Sequence, residues 1–113
     1  MKVRLTLTRS EYAGLVELVG ACYGELRGES LEEVQYREGL RGLALKLAGR
    51  AGAVKGKNRL MLGELETLAL WATAGEATAR TSPLGWAVWL KIAEETDRQK
   101  SAAEALRRGN GIL

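Results

Sequence analysis

The stretch from residue 57 to 71, KNRLMLGELETLALW, decides how this chain is read. Laid over residues 2–16, KVRLTLTRSEYAGLV, it repeats lysine, arginine, leucine, leucine, glutamate and leucine at matching places. The match runs over residues 2–15 against 57–70, with six identities in 14 positions. In the first copy Val3, Leu5 and Leu7 alternate with Arg4 and Thr6, the period-two pattern of a strand with one buried face. Thr8 as N-cap and Glu11 three places on form a capping box for a following helix. The second copy repeats the logic. Leu60 and Leu62 face one way, Gly63 takes the N-cap place, and Glu66 stands three residues on. A second strand at 57–62 is therefore expected. The rival reading extends a loop through these residues and makes the chain an all-α helical bundle.

Helical spacing fills the rest. A helix from about Arg9 to Arg27 carries Tyr12, Leu15, Val16, Val19, Cys22, Tyr23 and Leu26 on one stripe and stops near Gly28. Ser30 and Glu33 repeat the capping signal, and Tyr36, Leu40, Leu43, Ala44, Leu47 and Ala48 line the next helix. That helix fades in the glycine-dotted GRAGAVKGK of residues 49–57. After Gly63, Leu65, Leu68, Ala69, Leu70, Trp71 and Ala72 are apolar nearly all round, which predicts a central, buried helix. Ser82 and Pro83 open the last one. It is expected to pack through Trp86, Trp89, Leu90 and Ala93, and to project or fray beyond Glu94. The fold class expected is α+β and mostly helical, a βααβαα order with four helices on a two-stranded sheet. One domain, 1–113, is expected, with internal halves at about 2–50 and 57–108.

A lone strand leaves its backbone groups unpaired, so two strands of one chain are expected to pair with each other. A pseudo-two-fold axis makes the pair antiparallel. Leu5 and Leu7 then meet Leu60 and Leu62 on the helix side, each leucine contributing about 1.5–3 kcal/mol on burial. The other face shows Lys2, Arg4 and Thr6 from one strand, and Lys57, Arg59 and Met61 from the other. A two-stranded ribbon fits the DNA major groove, where arginine and lysine pair with guanine edges. In its order of elements, strand, helix, helix resembles the ribbon-helix-helix DNA-binding proteins, which pair two chains. The helices here are longer, and Met61 stands where a base-reading side chain would be. The resemblance implies that the ribbon faces DNA.

Composition narrows the alternatives. The chain has 113 residues, 46% hydrophobic and 27% charged, with a net charge of +3. That length supports one real core. No apolar run is long enough for a membrane span. MKVRLTLT alternates instead of forming an apolar block, so no secretory leader is expected and the cytoplasm is the expected location. One cysteine, Cys22, cannot form an internal disulfide and falls on an apolar stripe, where a core role is expected. With no histidine, the commonest general base is missing, and one cysteine alone cannot make a zinc site. GAVKGKN fails as a phosphate loop: its glycine spacing is one short, and Asn58 stands where serine or threonine would meet magnesium. LAGRAGAVKGKNRL also has the outline of a helix-turn-helix, but Asn58 falls where such motifs bury an aliphatic residue. This reading competes with the strand for the same residues.

The carboxylate groups Glu32 with Glu33, and Glu94 with Glu95 and Asp97, sit in a first turn or on polar faces, where Glu94 and Arg98 are expected to pair. No nucleophile with a base, metal set or cofactor loop remains, so a non-catalytic binding protein without cofactor or metal is expected. Nucleic-acid binding would use Lys2, Arg4, Lys57 and Arg59 with Arg50 and Lys55 of the acid-free segment 46–59. The alternative is a protein-binding regulator or inhibitor acting through an exposed apolar surface with Trp86 and Trp89, since tryptophan is enriched at binding hot spots. Self-association to a homodimer is a further option.

Overall fold

The computed structural model describes residues 2–112, with side chains as far as residue 106. Strand β1 (Val3–Leu7) leads into helices α1 (Arg9–Glu25) and α2 (Leu31–Arg50). A single 3-10 turn follows, and then strand β2 (Asn58–Leu62), helix α3 (Glu64–Ala77) and helix α4 (Pro83–Ile112). The order is strand, helix, helix, twice over, in a mostly helical α+β fold with a two-stranded antiparallel sheet. Because β2 occupies Asn58–Leu62, the helix-turn-helix and all-helical readings of this segment do not hold.

Both strands alternate strictly between buried and exposed positions. The register pairs Val3 with Leu62, Leu5 with Leu60 and Leu7 with Asn58. Leucine therefore meets leucine once, at the centre, and Leu7 lies opposite a polar side chain. Asn58 is buried there with its hydrogen bonds satisfied. Its Nδ2 donates to the Leu7 carbonyl at 3.1 Å and the Lys55 carbonyl at 2.7 Å, and its Oδ1 accepts from the Lys55 N–H at 2.8 Å. A polar residue is tolerated inside the sheet because it closes the loop that enters the strand.

The capping predictions are met at α1, where Thr8 Oγ1 accepts from Glu11 N–H and the Glu11 carboxylate accepts from Thr8 N–H. At α3 only the returning half exists, Gly63 N–H to Glu66, since glycine has no side chain to complete the box. Helix α1 ends at Glu25, two residues earlier than expected. Leu26 is extended, and Arg37 of α2 holds the turn by donating to the Leu26 carbonyl and the Tyr23 hydroxyl.

The core gathers Val3, Leu5, Leu7, Leu60 and Leu62 beneath the ribbon with residues of every helix. The central helix is α1, packed against α2, α3 and α4. The expectation that α3 is wholly buried is corrected: it exposes Leu65, Leu68 and Trp71. Its inner face is Thr67, Ala69, Leu70, Thr73, Ala74 and Ala77. Small side chains let neighbouring backbones approach, and the Thr67 and Thr73 hydroxyls donate to carbonyls four residues back. Close approach recurs at Gly14, where an added Cβ would lie 2.9 Å from Leu84 and Val88 of α4. The same contact rotates α4 so that Val88 and Ile92 are buried, whereas Trp86 and Leu90 face outward. Val16 of α1 is likewise exposed, and Leu18 is buried in its stead. Beyond Ile92, α4 continues as a helix with no fully buried described residue. The radius of gyration of 15.0 Å exceeds the roughly 13 Å of a compact chain this long. Among the described residues, no helix is long and apolar enough to cross a membrane, and no cluster of three metal-ligating side chains occurs.

Candidate nucleic-acid interface

The outward face of the ribbon follows from the register. Arg4 lies opposite Met61, and Thr6 lies opposite Arg59. Lys2 and Lys57 lie one residue outside the paired strands, next to Val3 and Asn58 at opposite ends of the ribbon. Along the ribbon the cations thus follow in the order Lys2, Arg4, Arg59, Lys57. The charge crosses from β1 to β2 at the middle of the ribbon. All four residues are exposed. Among the described residues no carboxylate pairs with any of them.

Both outer edges of the ribbon are covered by side chains. On the β1 side, Gln99 of α4 accepts from the Arg4 N–H at 3.3 Å and donates to the Arg4 carbonyl at 3.2 Å. On the β2 side, Lys46 and Arg50 of α2 donate to the carbonyls of Met61 and Arg59, at 2.9 and 2.8 Å. An uncovered strand edge invites pairing with another chain, and these three side chains block it. Arg50, expected as a free anion contact, thus has part of its guanidinium committed to the backbone.

Helix α4 runs beside β1 and rises past it, so that the ribbon face and the helix enclose an open groove of about 1220 Å³. Two acids line it, each engaged. Glu11 accepts from Lys91 at 2.9 Å, and Glu95 accepts from Arg98 at 2.5 Å and Gln99 at 3.1 Å. Arg98 therefore pairs with Glu95, not Glu94 as expected. Burial pushes the Glu11 carboxyl up, but the Thr8 N–H and Lys91 outweigh it and hold it below the usual range. Hydrogen bonds from Arg98 and Gln99 lower Glu95 in the same way. The groove stays net cationic, and no aromatic side chain lines it.

Lys55 stands apart from the ribbon face, in the loop that Asn58 closes. Trp86 and Trp89, the protein-interface candidates, lie on α4. Trp86 is 49% exposed, while Trp89 is half-buried and meets the edge of Trp71 at 5.0 Å. Trp71 is 44% exposed and belongs with them, although the sequence pattern assigns it to the core. Cys22 is fully buried, and burial pushes its thiol up. Sequence reading missed Lys91 and Gln99, and it set Glu95 and Arg98 aside as part of a polar helix face. Their spacing marks one face of a helix, but nothing local says which strand that face meets. Set against known proteins, the chain matches no family model, no curated protein and no solved structure.

Proposed function

We propose that this chain is a non-catalytic nucleic-acid-binding protein that presents the outward face of its β1–β2 ribbon to duplex DNA. The observation that carries the reading is the run of four exposed cations along the ribbon, none with a carboxylate partner among the described residues. Two strand residues advance about 6.8 Å, so four such positions span about 20 Å. A ribbon of this kind enters a major groove about 12 Å wide. Arg4 and Arg59 hold the central places, where a guanidinium can take a guanine edge in two hydrogen bonds. Lys2 and Lys57 flank them and suit phosphates. A groove without aromatics favours the duplex over single strands, whose binding relies on stacking platforms.

The geometry also supports reading the two halves as copies of one unit. The sequence match equates each residue with the one 55 further on, and the ladder pairs residues whose numbers sum to 65. Both relations meet at Leu5 and Leu60, where a two-fold axis would pass. Arg4 and Arg59 are then equivalent, and each would face one strand of a near-symmetric site.

Binding to mixed-sequence duplex DNA across a salt series tests the reading. On mixed-sequence DNA, where no guanine need stand opposite Arg4 and Arg59, all four cations can turn to phosphates, which gives a slope of log affinity on log salt near −3.6, from about −0.9 per contact. Arg4→Glu/Arg59→Glu is expected to stay folded by circular dichroism and to lose both affinity and slope. Wild type that fails to bind even at low salt would sink the proposal.

A second reading rests on Trp86, with Leu90 one turn further along the same helix face, both exposed, and on exposed Trp71, which packs edge-on against Trp89. A protein partner burying this surface would act through tryptophan anchors. It gains ground if DNA binding fails and Trp86→Ala abolishes capture of a partner that wild type retains.

A further inference from the structure

Where the loop at residues 54–57 turns into β2, a small pocket of about 290 Å³ opens beside the ribbon. It is lined by Arg50, Lys55, Lys57 and Arg59, together with Tyr12 and Asn58, and by no carboxylate. A shallower cavity of about 590 Å³ on the ribbon has only two cations, Arg4 and Arg59, and two other larger ones include acids. The ribbon groove holds two engaged acids, and the α3–α4 cleft has two acids, Glu64 and Asp97, to one lysine.

The walls are fixed. Asn58, buried, ties the loop backbone at Lys55 through two hydrogen bonds and β1 at Leu7 through a third. The Tyr12 hydroxyl donates to the Leu47 carbonyl at 2.6 Å, which holds the ring at the pocket wall. Arg50 spends one Nη2 hydrogen on the Arg59 carbonyl, at 2.8 Å, and keeps its remaining guanidinium donors. None of the four cations pairs with an acid among the described residues. Four basic residues line this one small space, so an anion entering it is attracted by all of them.

We infer that this pocket is a binding site for a phosphate monoester. A monoester carries close to two negative charges at neutral pH and three terminal oxygens, which suits several convergent donors. A phosphodiester, with one charge, would leave most of the site uncompensated. The inference goes beyond the ribbon reading, with which it shares only Lys57 and Arg59. Two sources offer the same chemistry, a small phosphate compound or the 5′-phosphorylated end of a nucleic acid.

The test is a titration of the full ¹⁵N-labelled chain with inorganic phosphate and with pyrophosphate, against chloride at matched ionic strength. Saturable amide shifts confined to residues 50–59 are expected. Lys55→Gln and Arg50→Gln/Lys55→Gln are expected to weaken saturation about tenfold or more, the loss of one or more charge-assisted contacts. Lys55→Gln removes an exposed side chain that makes no hydrogen bond or ion pair among the described residues, so it keeps the test valid should the double variant unfold. Arg4→Glu, outside the pocket, is expected to bind phosphate as wild type does. In a parallel arm, duplexes with 5′-phosphate and 5′-hydroxyl ends are compared. A gain from the 5′-phosphate that disappears in Lys55→Gln assigns the site to a strand end. Saturable phosphate binding without that gain assigns it to a small compound. Shifts that grow linearly and equally with chloride, or saturation untouched by Lys55→Gln, overturn the inference. Saturable phosphate binding by a chain that ignores DNA would remove the ribbon reading and leave this one standing.

Discussion

Glu17 shows how one side chain can hold two distant elements together. From α1 its carboxylate accepts the Ser82 N–H and the Ser82 hydroxyl, at the head of α4. The sequence marks Ser82 as the cap of its own helix, yet its hydroxyl donates to another helix instead. These bonds hold the Glu17 carboxyl below its usual range. Glu11 and Glu95 are lowered too. A carboxyl that is more acidic in the fold than in the unfolded chain stabilises the fold above its unfolded value, about 4.3. As pH falls below that value the unfolded chain takes up the proton first, and the contribution is lost as pH passes the folded value. Thermal midpoints are therefore expected to fall between about pH 5 and 3. Glu17→Gln should start from a lower midpoint at neutral pH and fall less steeply. Parallel curves for the two proteins would show that the Ser82 contact contributes nothing. Asn58 was legible as a misfit for two rival motifs but not as the residue that closes the loop, since its partners at Leu7 and Lys55 exist only once the strands pair.

Helix faces are where pattern reading was both strongest and most often misled. Periodicity located all four helices, and the Thr8–Glu11 and Ser30–Glu33 caps placed the starts of the first two. It misjudged which apolar side chains face inward on α1, α3 and α4. The reason is that small residues, which carry little hydrophobic signal, set the closest contacts. Gly14 is the sharpest instance, with the Leu84 carbonyl oxygen as well as two side-chain carbons within 2.9 Å of where a Cβ would be. Gly14→Ala is expected to cost about 1–3 kcal/mol, because a backbone atom cannot step aside. Gly20, on the same helix, has nothing within 4 Å of the place a methyl group would take. Gly20→Ala should instead stabilise by about 0.5–1 kcal/mol through helix propensity. Urea unfolding of both variants checks the contrast, and equal effects would refute the close α1–α4 contact.

Across the whole molecule, the two halves interlock. Lys46 of the first half reaches Glu66 of the second, and Lys91 of the second reaches Glu11 of the first. Helix α1 packs more extensively on α3 and α4 than on its own neighbour α2. Neither half is expected to hold its structure alone. The chain offers a direct check, because all three tryptophans lie in the second half and all three tyrosines in the first. Unfolding followed by tryptophan emission and by a tyrosine signal should give one coincident transition. Separate midpoints would mean that the halves fold independently. The sequence by itself determined the order of elements, the inward and outward alternation of both strands, and the four cations of the outward face. These follow from spacing along the chain, which local backbone geometry converts directly into direction. Tertiary structure alone decided that α4 walls the ribbon, that Lys46, Arg50 and Gln99 cover the strand edges, and that Arg50, Lys55, Lys57 and Arg59 converge on one pocket. Those contacts join residues far apart in sequence, and the packing of small side chains that sets the helix rotations leaves no periodic trace.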